Sequence, residues 1–294
     1  MVKIKIANTV YVLNTLEKYV DGLIYRFICN EPHDEVVLID VTKEKMPVMP
    51  ETAVKDMIIR GHVMYIDRNH KYYLQTEEEI ITYMKYRKDL AHFQININPE
   101  VALNDLSQQE ADQLTAILHG MFSKAVLMDA VSKNGIWLHC VALKYKDGAI
   151  LFSAKSKTGK TTHTNFWIDI FPDVEIINGD NGFCFLEGAG SYLYGMPWAG
   201  TSEDCMNIKA PIHAIVFLEQ AEKNSIDKLD DAEAFMRLSS RCFMPAWDRV
   251  LMLKALDTAE SLAKNIDCYL LKCLPDQEAA RLAERELFSR IQGV

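Results

Sequence analysis

The feature that most constrains this chain is an apolar run, Ala149–Ser153, that passes through Ala154-Lys155-Ser156-Lys157-Thr158 into Gly159-Lys160-Thr161-Thr162. Gly-Lys-Thr is the closing half of the pattern G-x-x-x-x-G-K-[ST]. In that pattern loop amides hold nucleotide phosphates, the Lys reaches the outer phosphates and the hydroxyl serves Mg²⁺. Such a loop must lie between a strand and the first turn of a helix. The segment therefore predicts a strand ending near Ser153 and a helix over 161–170 closed by Pro172. Ala154 stands where the first Gly of the pattern belongs.

The neighbouring sequence continues this α/β order. Ile136–Leu143 reads as a strand before the Asp147-Gly148 turn, and Val174–Ile177 as a strand ending in Asn178-Gly179-Asp180-Asn181-Gly182. Phe183–Leu186, Tyr192–Tyr194, Pro211–Leu218 and Cys268–Cys273 read as further strands. Ala232–Ser240, Arg249–Asn265 and Asp276–Gln292 read as helices. Upstream, Ser107 and Glu110 form a capping box opening a helix to about Met128, so the spacing places a boundary near Asn104-Asp105.

The first hundred residues read mostly as strand: Lys3–Leu13, Gly22–Ile28, Val36–Val41, and a hairpin of His62–Tyr65 and Lys71–Leu74 across Asp67-Arg68-Asn69-His70. A short helix is expected at Glu51–Ile59 after Pro47 and Pro50. The expected organisation is a small N-terminal α+β domain over 1–104, of unassigned role, and an α/β nucleotide-binding domain over 105–294.

Composition narrows the partners. With 41 acidic against 32 basic residues the net charge is −9, which disfavours nucleic acid and anionic membrane surfaces. No run approaches the ~18 apolar residues of a membrane span, and the N-terminus lacks a signal-peptide core. The seven cysteines are scattered with no C-x-x-C, as expected of reduced thiols in a cytoplasmic protein. Oligomeric state has no signal in the sequence.

Three positions carry chemistry. Lys160 would neutralise charge on a transferring phosphate, and Thr161 would hold Mg²⁺. Asp180, at a strand end near the loop, would hold the metal or accept a proton; the plain alternative is a turn residue. His139 is the third candidate, although a His on a buried strand is more often a satisfied core residue than a catalyst, and His163 reads as a surface residue of the first helical turn. Lys155–Lys160 has its own plain reading, a solvated basic turn.

Together these motifs resemble the HPr kinase/phosphorylase-like group, whose nucleotide-binding fold is similar to that of phosphoenolpyruvate carboxykinase. The resemblance spans roughly Ile136 to Phe288. It rests on Leu138-His139, Ile150–Ser153 followed by Lys160-Thr161-Thr162, Gly179-Asp180-Asn181, and Gly195-Met196-Pro197-Trp198-Ala199-Gly200 with Ile212–Glu219. The last segment resembles an uncharacterised clostridial-type branch.

The resemblance implies ATP and Mg²⁺ as cofactors. Ser156, Lys157, Thr158, Gly159, Lys160, Thr161 and Thr162 would lie on the phosphates, Thr161 and Asp180 on the metal, and Asp180 would take the acceptor's proton. His139 would lie near the transferred group. The chain departs from the family where Ala154 and Lys157 replace glycines and Asn181 replaces a second acid. The expected function is phosphoryl transfer to a hydroxyl of a small molecule or a protein serine. A catalytically degenerate fold that binds a peptide or protein is the alternative.

Overall fold

The computed structural model describes residues 1–14, 22–43, 52–59, 62–75, 82–97 and 106–289. The chain clusters into two compact units: Met1–Asp129 with Pro245–Met252, and Ala130–Met244 with Leu253–Val294. The 104/105 boundary expected from the sequence lies outside the described residues.

The first unit is built on β1 (Val2–Ile6), β2 (Thr9–Asn14), β3 (Val36–Thr42), β4 (Val54–Ile59), β5 (His62–Ile66), β6 (His70–Gln75), β7 (Thr82–Arg87) and β8 (His92–Ile97). They form one sheet in the order β1-β2-β3-β8-β7-β6-β5-β4. β3 runs parallel to β2 and β8, and the other neighbours are antiparallel. The β5–β6 hairpin turns as expected, with Asp67 Oδ1 accepting the N–H groups of Asn69 and His70, each at 2.7 Å.

Three expectations are corrected in this unit. Lys3–Leu13, expected as one strand, is the antiparallel hairpin of β1 and β2, turning at Ala7 with φ 53°. Gly22–Tyr25 is a short helix, α1, where a strand was expected, and Val54–Ile59 is strand β4, where a helix was expected. β4 is held by antiparallel hairpin pairing to the next strand, β5, which outweighs the local propensity of its residues.

Helix α2 (Gln108–Ser132) opens on the expected capping box. The Ser107 N–H donates to Glu110 Oε2 at 2.8 Å, and the Glu110 N–H returns to Ser107 Oγ at 3.4 Å. It runs a turn beyond Met128 because Ala130 and Val131 are also buried. By length and composition α2 could cross a membrane, contrary to the sequence reading, but most of its apolar window is buried within the protein. At Asp129 it accepts hydrogen bonds from Thr9 Oγ1 at 2.9 Å and Tyr11 Oη at 2.6 Å.

The second unit carries the loop. Its strands are β9 (Gly135–His139), β10 (Val141–Tyr145), β11 (Gly148–Ser153), β12 (Glu175–Asn178), β13 (Asn181–Glu187), β14 (Gly190–Tyr194), β15 (Lys209–Gln220), β16 (Ser225–Lys228), β17 (Cys242–Phe243) and β18 (Asp267–Cys273). The main order is β12-β10-β11-β15-β14-β13-β9-β17, with β18 on β15 and β16 on β18. The run expected as one strand over 136–143 is two, β9 and β10, broken at Cys140.

β11, β15 and β18 are mutually parallel, so Ser153, Gln220 and Cys273 end at the same edge. Side-chain alternation sorts the core. Ala149 and Leu151 pack on one face with Leu138, Phe217 and Leu262. Ile150 and Phe152 pack on the other with Trp167 of α3 (Lys160–Ile170) and Ala280, Ala283 and Leu287 of α6 (Gln277–Phe288). α4 (Asp231–Ser239) supplies Ala234 and Leu238 to the first face, and α5 (Arg249–Asn265) supplies Ala259 and Leu262. Buried Cys140, Cys184 and Cys268 belong to this first face, which explains their presence without disulfide or metal. The architecture is mixed α/β on two sheets.

Candidate functional site

The loop emerges from β11 at the carboxyl edge of the parallel strands, where open α/β sheets place ligands. Ala154 is buried among the apolar side chains packed around Phe152 and Trp167, and its φ is not positive, so this position needs no glycine. Lys157 does adopt a left-handed conformation, φ 65°, at a cost on the order of 1 kcal/mol. Gly159 caps α3 at φ 106°, where a Cβ would be strained although nothing crowds it.

Ser156 and Lys157 are exposed, Thr158, Gly159 and Lys160 half-buried, and Thr161 and Thr162 exposed on the first turn of α3. Of the N–H groups of Ser156, Lys157, Thr158 and Gly159, only that of Thr158 is bonded among the described residues, to Lys155 O at 3.2 Å. The others remain as donors. Gln220 Nε2 donates to Thr158 O at 3.2 Å and ties the loop to the end of β15.

Lys160, His139 and Asp180 meet. Lys160 Nζ donates to His139 Nε2, so the neutral imidazole carries its proton on Nδ1. That Nδ1 lies 3.4 Å from Asp180 Oδ1, within ion-pair range but out of line for a hydrogen bond. Burial, and then the Lys160 ammonium, hold the His139 pKa below its ordinary value against the pull of Asp180. Burial likewise lowers that of Lys160. A neutral imidazole thus joins a cation at the loop to a carboxylate at a strand end.

The turn that carries Asp180 is fixed from all sides. Asn178 Oδ1 accepts the N–H groups of Asp180 and Asn181 at 3.0 and 2.7 Å, and the Cys140 N–H donates to Asp180 O at 3.0 Å. Asn181 is a structural clasp: its Oδ1 accepts Trp137 Nε1–H at 2.9 Å and its Nδ2 donates to Asp180 Oδ2 and Trp198 O. The Gly195–Gly200 segment backs this turn. Met196 O and Trp198 O both accept from Asn178 Nδ2, and Trp198 packs on Trp137 at 5.2 Å.

Gly200 closes the brace. Its φ is +62°, and a Cβ there would fall 2.7 Å from Asp180 Oδ2. Gly200→Ala is therefore expected to cost about 1–3 kcal/mol. The thermal midpoint should drop by several degrees, and an unchanged midpoint would mean that this segment does not brace Asp180.

Beside the loop lies a cavity of about 460 Å³ between Ser153–Thr158, the end of β15 and two arginines, Arg237 and Arg241. Arg237 is neutralised by Glu219 at 2.7 Å and Glu233 at 2.8 Å. Lys155, Lys157 and Arg241 have no carboxylate partner among the described residues, and Arg241 repels both His139 and Lys160. In a chain of net charge −9, such a gathering of cations at one cavity is electrostatically suited to an anion.

Magnesium fits this site in a limited way. Among the described residues Asp180 is the carboxylate that acts on Lys160, the Asn181 side chain is spent on Trp137, and no cluster of three metal-ligating side chains exists. One carboxylate and the Thr161 hydroxyl suit an ion that arrives on phosphate oxygens and keeps most of its waters.

The sequence reading missed Arg241 and misplaced His163. Arg241 follows α4 with no local signal; it reaches the site because β17 pairs with β9, with His139 N–H donating to Arg241 O at 3.1 Å. His163, expected at the surface, is buried at 4% exposure and accepts Trp167 Nε1–H at 3.1 Å.

No family model matches the chain, and no curated protein matches it. Among solved structures, the Hpr(Ser) kinase/phosphatase from Coxiella burnetii is similar at 10% identity and a TM-score of 0.34, over 53% of this chain and 99% of that chain. This is a distant structural resemblance.

Proposed function

We propose that the chain is an ATP-dependent kinase that transfers a phosphoryl group to the hydroxyl of a small molecule or a protein serine. The observation that carries this reading is the contact of Lys160 with His139 and of His139 with Asp180, at the end of a loop whose amides and cations are unspent. The loop amides, Lys160 and Arg241 bind the triphosphate and take up charge as the bond to the leaving diphosphate breaks. Asp180 accepts the proton as the acceptor oxygen bonds to phosphorus. His139 holds Lys160 and Asp180 in one line of contact. Mg²⁺, held by Thr161 and Asp180 on the phosphates, would supply further charge neutralisation. Placement in a clostridial-type branch rests on the sequence of Gly195–Gly200, Ile212–Glu219 and Asn224.

A second reading, a catalytically degenerate fold that binds a peptide or protein, is favoured by two observations: Lys157 in the left-handed region and the engagement of Asn181 by Trp137. Thermal unfolding of the full chain with ATP and Mg²⁺ separates the two. At 100 times the dissociation constant, ligand binding stabilises by about 2.7 kcal/mol, which raises the midpoint by several degrees. Absence of any shift up to millimolar ATP would discard the kinase reading.

A further inference from the structure

A second cavity, about 490 Å³, opens at the same edge of the parallel strands, and Lys157, Thr158, Leu218 and Gln220 line both. The two differ in chemistry. The first gathers Lys155, Lys157, Arg237 and Arg241. The second replaces all but Lys157 with Leu274 and Pro275, which follow β18, and with Ala221, Cys273 and His163.

His163 is the informative residue. Trp167 Nε1–H occupies its Nε2, so the ring's proton is on Nδ1, and that N–H has no hydrogen-bond partner among the described residues. Burial lowers its pKa to about 4, so the imidazole stays neutral and keeps this donor at neutral pH. Gln220 has the opposite handle: its Nε2 is used on Thr158 O, and its Oε1 is left as an acceptor. One donor, one acceptor and flat apolar contacts complement a heteroaromatic edge such as that of adenine, which shows an acceptor beside an amino donor.

We propose that this second cavity seats the nucleoside of the triphosphate, with His163 Nδ1–H and Gln220 Oε1 on the edge of the base and Leu218, Leu274 and Pro275 against its faces. The proposal rests on the loop holding phosphates in the adjoining cationic cavity, since the shared residues would then join the two ends of one ligand.

Cys273 gives a local readout, because it lines the second cavity and not the first. The full-length protein is labelled with N-ethylmaleimide alone, with ATP or with inorganic tripolyphosphate, and Cys273 modification is followed by peptide mass spectrometry. Saturating ATP is expected to slow labelling about tenfold or more, whereas tripolyphosphate leaves it within about twofold. His163→Gln keeps an acceptor for Trp167, its Oε1, but has no N–H at the Nδ1 position. It should weaken ATP about three- to tenfold and leave tripolyphosphate binding unchanged.

If both ligands bind and Cys273 stays equally reactive, the nucleoside lies elsewhere and the proposal falls while the phosphate reading stands. If neither ligand binds, the phosphate reading fails and the proposal fails with it. Should His163→Gln not fold, the labelling of the unsubstituted protein decides alone.

Discussion

Asp180→Asn is expected to lower phosphoryl transfer about 10³-fold while affinity for ATP measured without Mg²⁺ stays within about threefold, as loss of a general base requires. The substitution is nearly isosteric, and the turn that holds residue 180 is bonded through its backbone to Asn178 and Cys140, so the fold is retained. The carboxamide, unlike the carboxylate, has no proton affinity to offer an attacking hydroxyl. Its orientation is also forced. Asn181 Nδ2 donates to Asp180 Oδ2, so the amide oxygen turns there and the NH₂ faces the proton on His139 Nδ1.

That opposition of two donors has a second readout. Asp180 is the group that raises the His139 pKa against burial and Lys160, so its neutralisation should move His139 further below its ordinary value. Histidine NMR titration measures this beside the transfer rate. Transfer at the unsubstituted rate would remove Asp180 from the mechanism, and an unmoved His139 would mean that the pair is not electrostatically coupled.

What could be read from sequence follows how local each signal is. The loop, α3 and α5 were legible because glycine, a following basic and hydroxyl pair, and apolar spacing act within a few residues. β4 was not, since Val54–Ile59 shows no strand alternation and only its pairing to β5 decides it. The same contrast holds at the site. Lys160 and Asp180 announce themselves by motif, but their meeting through His139 depends on β9 lying against β13, with His139 opposite Asn181. Arg241 enters through a two-residue strand a hundred positions away from its partner, which no local pattern encodes. Asn181 looked like a lost metal ligand; only the Trp137 indole shows that it clasps the Asp180 turn.

Lys160→Met is expected to weaken ATP about 10- to 100-fold, the worth of a charge-assisted hydrogen bond to phosphate, and to reduce transfer further still. Methionine keeps most of the apolar stem, so the packing at the start of α3 changes little. Lys160 is a half-buried cation whose pKa burial depresses, a costly placement that folding alone does not reward. The ligand-free variant should therefore melt no lower than the unsubstituted protein, and any rise would fit a residue kept for function at the expense of stability. His139 supplies the control. Without the Lys160 ammonium, Asp180 remains to raise its pKa, so the titration should move upward, opposite to the shift expected for Asp180→Asn. Opposite shifts from the two variants would place His139 electrically between them. If the methionine variant retains full ATP stabilisation, Lys160 serves the His139 contact and not the phosphates, and the cations at Lys155, Lys157 and Arg241 alone would carry the anion site.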